Sequence, residues 1–482
     1  MQSAARVATR QRAARDIAMQ VAVRSLNLAL GVAVTALVVR TLGSVRYGQW
    51  STTLATLALV EYFATFGTDT IAVREAAADP QHEHEWLSAA VAMRFAALLP
   101  VIAISVAAIL LLAGSQQMLI AGLILIAAMP FGGMGALQLV FRLRINNRVP
   151  MLVLTLRSVL WGIAVLIIFL RSGGLVPFAI ALAVTNAIGS LVQSALALRL
   201  LERRPWPSRS HLARLIRAAA PIGIAGMLVI AYARIDQVMV YGISGSRPAG
   251  LYGSVYNLLD QAHFIPMSIL TTLAPVLAAS WPHDRPRLLR SARLTAELMA
   301  TTSFGALAFA AVAATPVVRL IFGGAFVDAA PALPILGAAF VFISFGYLNG
   351  NLLVVLGLQR RFLEVSLLAL LINVVGNAIL IPLVGFMGAA WMTLITEIFV
   401  FVASAALILD KLELGIPRPG RIGRAAAAGL SLAGALAAIS ALGGGLAALI
   451  ATTVILYPAL LFGLGAISVA DLQSLLRRGA PV

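Results

Sequence analysis

The chain has 482 residues, of which 61% are hydrophobic and 11% charged, and its formal net charge is +17. A soluble domain has about 45–50% apolar and about 25% charged residues, so this composition predicts a polytopic membrane protein. Without cysteine there are no disulfides or thiolate metal sites, and the single lysine, Lys411, lies outside any P-loop motif, which excludes a P-loop ATPase within this chain. The basic residues form no contiguous face for nucleic acid, so membrane topology and anionic lipids explain the charge.

Fourteen apolar segments follow one another along the chain, and each reaches the roughly 20 residues that a helix needs to cross the hydrocarbon core. They lie at 17–40, 48–70, 87–113, 118–140, 151–170, 176–199, 217–241, 250–280, 292–320, 331–356, 362–382, 386–409, 424–443 and 445–468. The sequence therefore predicts an all-α membrane protein with about fourteen transmembrane helices. Twelve is the alternative if the Ala-rich last pair is miscounted.

Arginine and lysine are concentrated in alternate gaps between these segments. Twenty-six lie on one side and only five on the other, namely Arg40, Arg46, Arg171, Arg247 and Arg319. Cytoplasmic loops carry the excess of Lys and Arg, so both termini are predicted to be cytoplasmic. The remaining four arginines lie within spans.

A basic linker near 203–207 divides the first twelve spans into two sixes. We expect an N-terminal lobe at 1–204, a C-terminal lobe at 205–415 and two additional spans in 416–482. Short patterns recur in the two lobes: Gly43 and Gly245 precede spans two and eight, and Gly174 and Gly385 precede spans six and twelve. Such a parallel repeat predicts a pseudo-two-fold axis along the membrane normal, as in transporters that rock two lobes around a midplane site.

An ionisable group inside a span costs about 2.5–3.5 kcal/mol on insertion scales, so it needs a partner or a water-filled cavity. Arg94 and Arg157 lie near the cytoplasmic ends of their spans, where we expect them to snorkel to the headgroups. For Arg94, a cavity open to the cytoplasm is the alternative. Arg24 is slightly deeper, and the sequence leaves lumen and headgroup equally open. Arg234 is the arginine whose depth most favours a function.

Polar side chains follow Arg234 in spans seven and eight. Arg234 and Asp236 are two positions apart and so point to different faces of one helix. Tyr256, Asp260 and His263 share a face at i, i+4 and i+7, a stripe that we expect to line a cavity; the alternative is a buried hydrogen-bond network between helices. Asn257 and Gln261 lie beside this stripe.

Carboxylates near mid-membrane are candidates for ion coupling. Glu61 in span two and Glu397 in span twelve can bind H⁺ or Na⁺, and internal charge pairing is the equal alternative for each. Asp69 is expected to cap or pair locally. The run Gln81-His82-Glu83-His84-Glu85 has histidines at i and i+2, which do not share a helix face, so it is read as a solvated charge run and no metal site is predicted.

Several stretches together resemble the polysaccharide-export flippases, the Wzx-like O-antigen and repeat-unit transporters of the multidrug/oligosaccharidyl-lipid/polysaccharide (MOP) superfamily. They are RTLGSVRYG at 40–48, FG and VREA within 66–76, RIDQ at 234–237, GLYG at 250–253, IFGGAF at 321–326 and LIPLVGFMGAA at 380–390. The resemblance covers spans one to twelve.

This resemblance implies a bacterial inner-membrane transporter that moves undecaprenyl-pyrophosphate-linked glycans outward by alternating access. It implies a monomer that works beside polysaccharide-assembly proteins such as a polymerase, and no cofactor other than a coupling H⁺ or Na⁺. Arg234 matches the family's R-x-D pattern. The residues assigned to the substrate are Arg234, Arg24, Asn257, Tyr256, Gln261 and Arg94, and those assigned to ion coupling or charge pairing are Asp236, Asp260, Glu61, His263 and Glu397.

Other functions remain open at this stage. A lipid II flippase of the same superfamily is the first alternative, and a cation or drug antiporter follows. An envelope polymerase or ligase generally carries its chemistry on a large external loop, and every predicted outer gap here is short, so no enzyme is expected. A non-transporting scaffold would tolerate the removal of every intramembrane charge.

Overall fold

The computed structural model describes residues 2–144, 148–201, 208–414 and 420–467, without the side chains of residues 2–29, 148, 209 and 222. Every regular element within these ranges is helical. The helices are α1 Gln2–Thr65, α2 Thr68–Ala78, α3 Glu83–Leu112, α4 Gln116–Gly133, α5 Leu139–Leu143, α6 Arg148–Leu170, α7 Leu175–Leu198, α8 Arg209–Ser244, α9 Ser246–Ala262, α10 Phe264–Ser280, α11 Arg285–Phe322, α12 Ala332–Val355, α13 Gln359–Val384, α14 Phe386–Lys411, α15 Gly420–Ala441 and α16 Leu446–Gly463.

Thirteen helical segments in the described residues are long and apolar enough to cross a membrane. The first of them, Leu30–Ala78, contains a break at Gly43 and so covers the two segments predicted as spans one and two. The Ala-rich last pair is present as α15 and α16, so the twelve-span alternative is wrong. The prediction of an all-helical polytopic membrane protein is confirmed.

Two glycines interrupt the chain in the same way. Gly43 has φ 67° and ψ 173°, and Gly245, between α8 and α9, has φ 87° and ψ −174°. Positive φ is accessible to glycine without a steric cost, which is why glycine stands at both sharp breaks. The backbone thus supports the correspondence of Gly43 with Gly245. The other proposed pair differs, because Gly174 has φ −100° whereas Gly385 has φ 62°.

Two predicted spans are not single helices. Span eight divides at His263 into α9 and α10, because Pro266 cannot donate a hydrogen bond to the carbonyl of Ala262. Span four ends α4 at Gly133 and continues through a 3₁₀ turn, Met134–Gln138, into α5. Pro130 and the pair Gly132-Gly133 weaken the helix there.

The N-terminal half (residues 2–201) and the C-terminal half (208–414) pack together along α1, which contacts α8 and α9, and along α3, which also contacts α8. The pair α15–α16 packs on α11. Large apolar side chains remain exposed along many helices, for example Leu156 and Val159 of α6 and Leu371 of α13. A belt of this kind is what contact with lipid requires.

Candidate functional site

A cavity of about 350 Å³ lies between the two halves. Its N-terminal wall comes from α1 and from Trp161 and Leu182, and its C-terminal wall from α8 and α9. A second cavity of about 560 Å³ shares Thr35, Asn257 and Asp260 with the first. It is also lined by Leu154 and Thr271, so it continues toward the predicted cytoplasmic end.

Arg234 and Asp260 form an ion pair in the wall of this cavity. Nη1 of Arg234 lies 2.6 Å from Oδ2 of Asp260, and the two side chains keep 36% and 25% of their exposure. The guanidinium stands 5.8 Å from the centre of the Tyr256 ring, whose hydroxyl donates to the carbonyl oxygen of Ala233 at 2.8 Å. The arginine is therefore charge-paired, held beside an aromatic ring and accessible from the cavity.

The rest of the predicted stripe lies next to this pair. Nε2 of Gln261 donates to Oδ1 of Asn257 at 2.8 Å, and both residues line the second cavity. His263 marks the break between α9 and α10, with its Nδ1 4.0 Å from Oδ1 of Asp260 and its ring stacked on Phe340. Tyr256 and His263 thus lie on either side of Asp260 along one face of the chain, as the spacing predicts.

Asp236 lies on the other face of α8, away from Arg234, as the spacing predicts. It is 1% exposed and accepts hydrogen bonds from the hydroxyl of Tyr252, from Oγ1 of Thr393 at 3.3 Å and from its neighbouring backbone N–H at Gln237. All three donors are uncharged. Thr393 belongs to α14, so this carboxylate joins α8, α9 and α14.

Two further carboxylates have no ion-pair partner among the side chains that the structure describes. Glu397 of α14 is half-buried and lies close enough to Tyr232 and Tyr347 for its charge to act on their hydroxyls. Glu61 is exposed, near Gly132 of α4. Neither belongs to the Arg234–Asp260 pair.

Arg94 does not snorkel. It is 6% exposed, and its Nη2 pairs with Oδ2 of Asp69 at 2.5 Å, so the expectation of a headgroup arginine is wrong. Asp69 in turn pairs with another helix and not locally. This ion pair joins α2 and α3 and compensates both charges. The assignment of Arg94 to the substrate stays a prediction. The side chain of Arg24 lies outside the described residues.

Sequence reasoning missed the contacts that close the cavity at the predicted outer end. A Cβ on Gly48 would overlap the carbonyl oxygen of Ser246, and one on Gly250 would overlap that of Ser44, so the two backbones touch. Nε2 of Gln237 donates to the hydroxyls of Ser51 and Thr52, each at 3.1 Å.

Arg40 adds a further contact at the same end, because its guanidinium donates to the carbonyl oxygens of Leu320 and Ile321. Gly48 and Gly250 could have been found from the repeated Tyr-Gly and Gly-Leu-Tyr-Gly patterns near each break. For Gln237, only its place in the RIDQ stretch at 234–237 indicated a role, and the sequence did not predict its contacts with Ser51 and Thr52.

An aromatic cluster joins the halves at the predicted cytoplasmic end. The rings of His82 and His211 stack at 5.8 Å, Trp86 meets His211 edge-on at 4.9 Å, and Arg214 lies 5.2 Å from the Trp86 ring. His82 also pairs with Asp79 at 2.9 Å, so the charge run is only partly solvated. Burial, and secondly the neighbouring Arg214, lower the pKa of His211. In the described residues no group of three or more His, Asp and Glu side chains could hold a metal ion.

Comparison with solved structures places this fold among the MOP transporters. The chain is similar to the inward-facing conformation of a multidrug resistance MATE family transporter of the MOP superfamily, with 16% identity and a TM-score of 0.66 over 81% of this chain and 95% of that one. It is similar to the lipid II flippase MurJ in an inward closed conformation, with 13% identity and a TM-score of 0.72 over 93% and 98%. A MOP superfamily transporter from Pyrococcus furiosus matches with 15% identity and a TM-score of 0.58 over 86% and 96%.

The fold and the polar cavity between its halves therefore define a multi-pass membrane protein built as MOP-superfamily transporters are. The family described as "Polysaccharide biosynthesis protein" matches residues 13–281, more than half of the chain, and the protein belongs to that family. No curated protein matches it significantly. The prediction of a polysaccharide-biosynthesis family is confirmed by the family match, and the chain shares its fold with MATE transporters and with MurJ.

Proposed function

We propose that this protein is a flippase that carries undecaprenyl-pyrophosphate-linked oligosaccharide repeat units across the bacterial inner membrane by alternating access. One observation carries the proposal. An accessible arginine, Arg234, lies in a cavity between two halves of the chain that touch at the predicted outer end. A polysaccharide-biosynthesis family member with such a cavity has a place for an anionic headgroup.

The ion pair supplies the binding chemistry. A guanidinium binds phosphate oxygens through two parallel N–H donors and does not lose its charge. The diphosphate of the carrier displaces the carboxylate of Asp260 from Arg234, while the Tyr256 ring keeps the guanidinium in place. Asn257 and Gln261, which hydrogen-bond to each other in this structure, turn to the sugar hydroxyls in this proposal.

Alternating access follows from the difference between the two ends of the cavity, of which the outer one is closed. The cavity is closed to the outer side by the contact of Gly48 with Ser246 and by the hydrogen bonds of Gln237 to Ser51 and Thr52. It opens there only when the two halves separate. In this proposal the sugar headgroup enters from the cytoplasmic side, while the lipid chain stays in the bilayer.

Ion coupling is assigned to Asp236 in this proposal. Asp260 is compensated by Arg234, whereas Asp236 is buried and its hydrogen-bond donors are uncharged. A buried carboxylate without a cationic partner is costly, and uptake of H⁺ or Na⁺ relieves that cost. The protein is expected to act as a monomer beside a polymerase and other assembly proteins.

Export of the glycan tests the site assignment. Arg234→Ala should abolish surface glycan in a host that lacks its own flippase, and Arg234→Lys should restore only part of it because the bidentate contact is lost. Arg247→Ala is the matched control, since Arg247 pairs with Asp328 at an exposed position. Normal export by Arg234→Ala at normal protein abundance would refute the assignment.

Lipid II is the second candidate substrate. The similarity to MurJ covers 93% of this chain and 98% of that one with a TM-score of 0.72. Expression of the protein in cells depleted of their lipid II flippase separates the candidates. Restored growth would favour lipid II, and continued lysis together with restored glycan export in the other host would favour the repeat unit.

A further inference from the structure

Helix α6 presents an arginine to the same interior space. Leu154 lines the second cavity and Trp161 lines the first. Arg157 lies three residues after Leu154 and four before Trp161, and residues at these spacings share one face of a helix. Arg157 is therefore on the cavity side of α6, between the two cavities.

The opposite side of α6 is its lipid face. Large apolar residues exposed there are Leu152, Leu156, Val159, Ile163 and Leu166. At 100° per residue they cluster on the far side of the helix from Arg157. Arg157 is itself exposed, and its spacing from Leu154 and Trp161 places it on the interior side of α6. The sequence-based expectation that Arg157 snorkels to the headgroups stays a prediction, and an interior position is the alternative that this spacing supports.

The neighbouring helix supports the same placement. The aliphatic part of Arg157 rests on Gly189 of α7, where a Cβ would stand 3.3 Å from Cδ of the arginine. Gly189 lies seven residues after Leu182, which lines the first cavity, so both are on one face of α7. The absence of a side chain at 189 leaves the room that the arginine stem occupies.

Arg157 has no anionic partner among the side chains that the structure describes. No described side chain forms an ion pair or hydrogen bond with it, whereas Arg234 is neutralised by Asp260. Arg157 lies nine residues into α6, roughly 13 Å along the helix axis. A guanidinium at this depth is stable where water or an anionic ligand contacts it.

We propose that Arg157 is a second anion-binding residue of the cavity. Its ligand is an anionic oxygen of the transported molecule, from the carrier diphosphate or from an acidic sugar. This inference rests on the proposed function and adds a step to it. Because Arg157 has no carboxylate partner among the described side chains, whereas Arg234 is paired with Asp260, Arg157 attracts the anion first and Arg234 engages once Asp260 has been displaced.

The cysteine-free chain allows a direct test with Arg157→Cys. We expect a water-soluble thiosulfonate reagent to label this cysteine and not Leu156→Cys, the lipid-facing control. Export should fall about 10- to 150-fold in Arg157→Cys, the loss expected for one charge-assisted contact, and a cationic reagent should restore it whereas an anionic reagent of similar size should not. Absence of labelling, or equal rescue by both reagents, would overturn the proposal.

Export of neutral and of acidic glycans distinguishes the two possible ligands, the carrier diphosphate and an acidic sugar. Arg157→Ala should impair neutral and acidic repeat units equally if the diphosphate is the ligand, and acidic units alone if the sugar is. Unimpaired export of both by Arg157→Ala, with export lost in Arg234→Ala, would overturn this inference and leave the proposed function standing. Unimpaired export in both variants would overturn the proposed function itself.

Discussion

Replacing Gly48 by alanine should open the outer end of the cavity. The added Cβ would overlap the carbonyl oxygen of Ser246 and lie 2.8 Å from the backbone nitrogen of Gly250. Ordinary contact begins at 3.4 Å, so the contact with Gly250 alone requires a shift of about 0.6 Å, and the overlap with the Ser246 oxygen requires the two backbones to separate further. Both neighbours are backbone atoms, which no side-chain rotation can move.

The size of the effect follows from the cost of overpacking, about 1–3 kcal/mol. A bias of that size shifts an equilibrium between two conformations about 5- to 150-fold, here toward the form that is open on the outer side. Gly48→Ala should therefore lower export while leaving the protein abundant, because alternating access needs the closed form as well.

Labelling of a buried position measures this shift. Thr52 is fully buried and accepts a hydrogen bond from Gln237 across the closed end, so Thr52→Cys should react slowly with an impermeant maleimide added outside. In the Gly48→Ala background the labelling rate should rise about 5- to 150-fold. Gly242→Ala is the matched control, since a Cβ there meets open space. An unchanged rate in Gly48→Ala would refute the account of the closed end.

Three further outcomes are expected. Asp236→Asn should remove the dependence of transport on an H⁺ or Na⁺ gradient because the buried charge is gone, and retained dependence in a proteoliposome assay would contradict that assignment. The pKa of His211 is lowered where α8 packs on α3, so the packed form binds fewer protons than the separated form. Packing of α8 on α3 should therefore weaken as pH falls below about 6.5, the ordinary pKa of histidine. The labelling rate of Ala219→Cys should rise as pH falls, and His211→Gln should remove this pH dependence. The same pH dependence in His211→Gln would contradict the role of His211. Asp69→Asn should lower stability by about 3–5 kcal/mol by leaving Arg94 buried without its partner, and Asp69→Asn with Arg94→Met should recover much of the loss in thermal unfolding.

The class of fold could be predicted from the sequence because long apolar segments leave helices as the only way to satisfy the backbone in lipid. Pro130, Gly132-Gly133 and Pro266 indicate kinks near Gly133 and His263, but both residue types are common in membrane helices, so the sequence does not say that a helix ends there. Gly43 and Gly245 could be matched because a similar pattern begins at each of them.

The polar stripe could also be predicted from the sequence, whereas the contacts of the two arginines near predicted cytoplasmic ends could not. Tyr256 and Asp260 share a helix face by spacing, which one helix determines alone. The contacts of Arg94 and Arg157 depend on other helices: Asp69 of α2 pairs with the first, and Gly189 of α7 lies against the aliphatic part of the second. Depth along a span carries no information about such partners.

Translocation by the purified protein tests the central claim most directly. Proteoliposomes that contain a diphosphate-linked oligosaccharide lipid should expose the glycan on the opposite leaflet faster with the wild-type protein than without it, and Arg234→Ala should return the rate to that of empty vesicles. A wild-type rate equal to that of empty vesicles, or an Arg234→Ala rate equal to the wild type, would contradict the account.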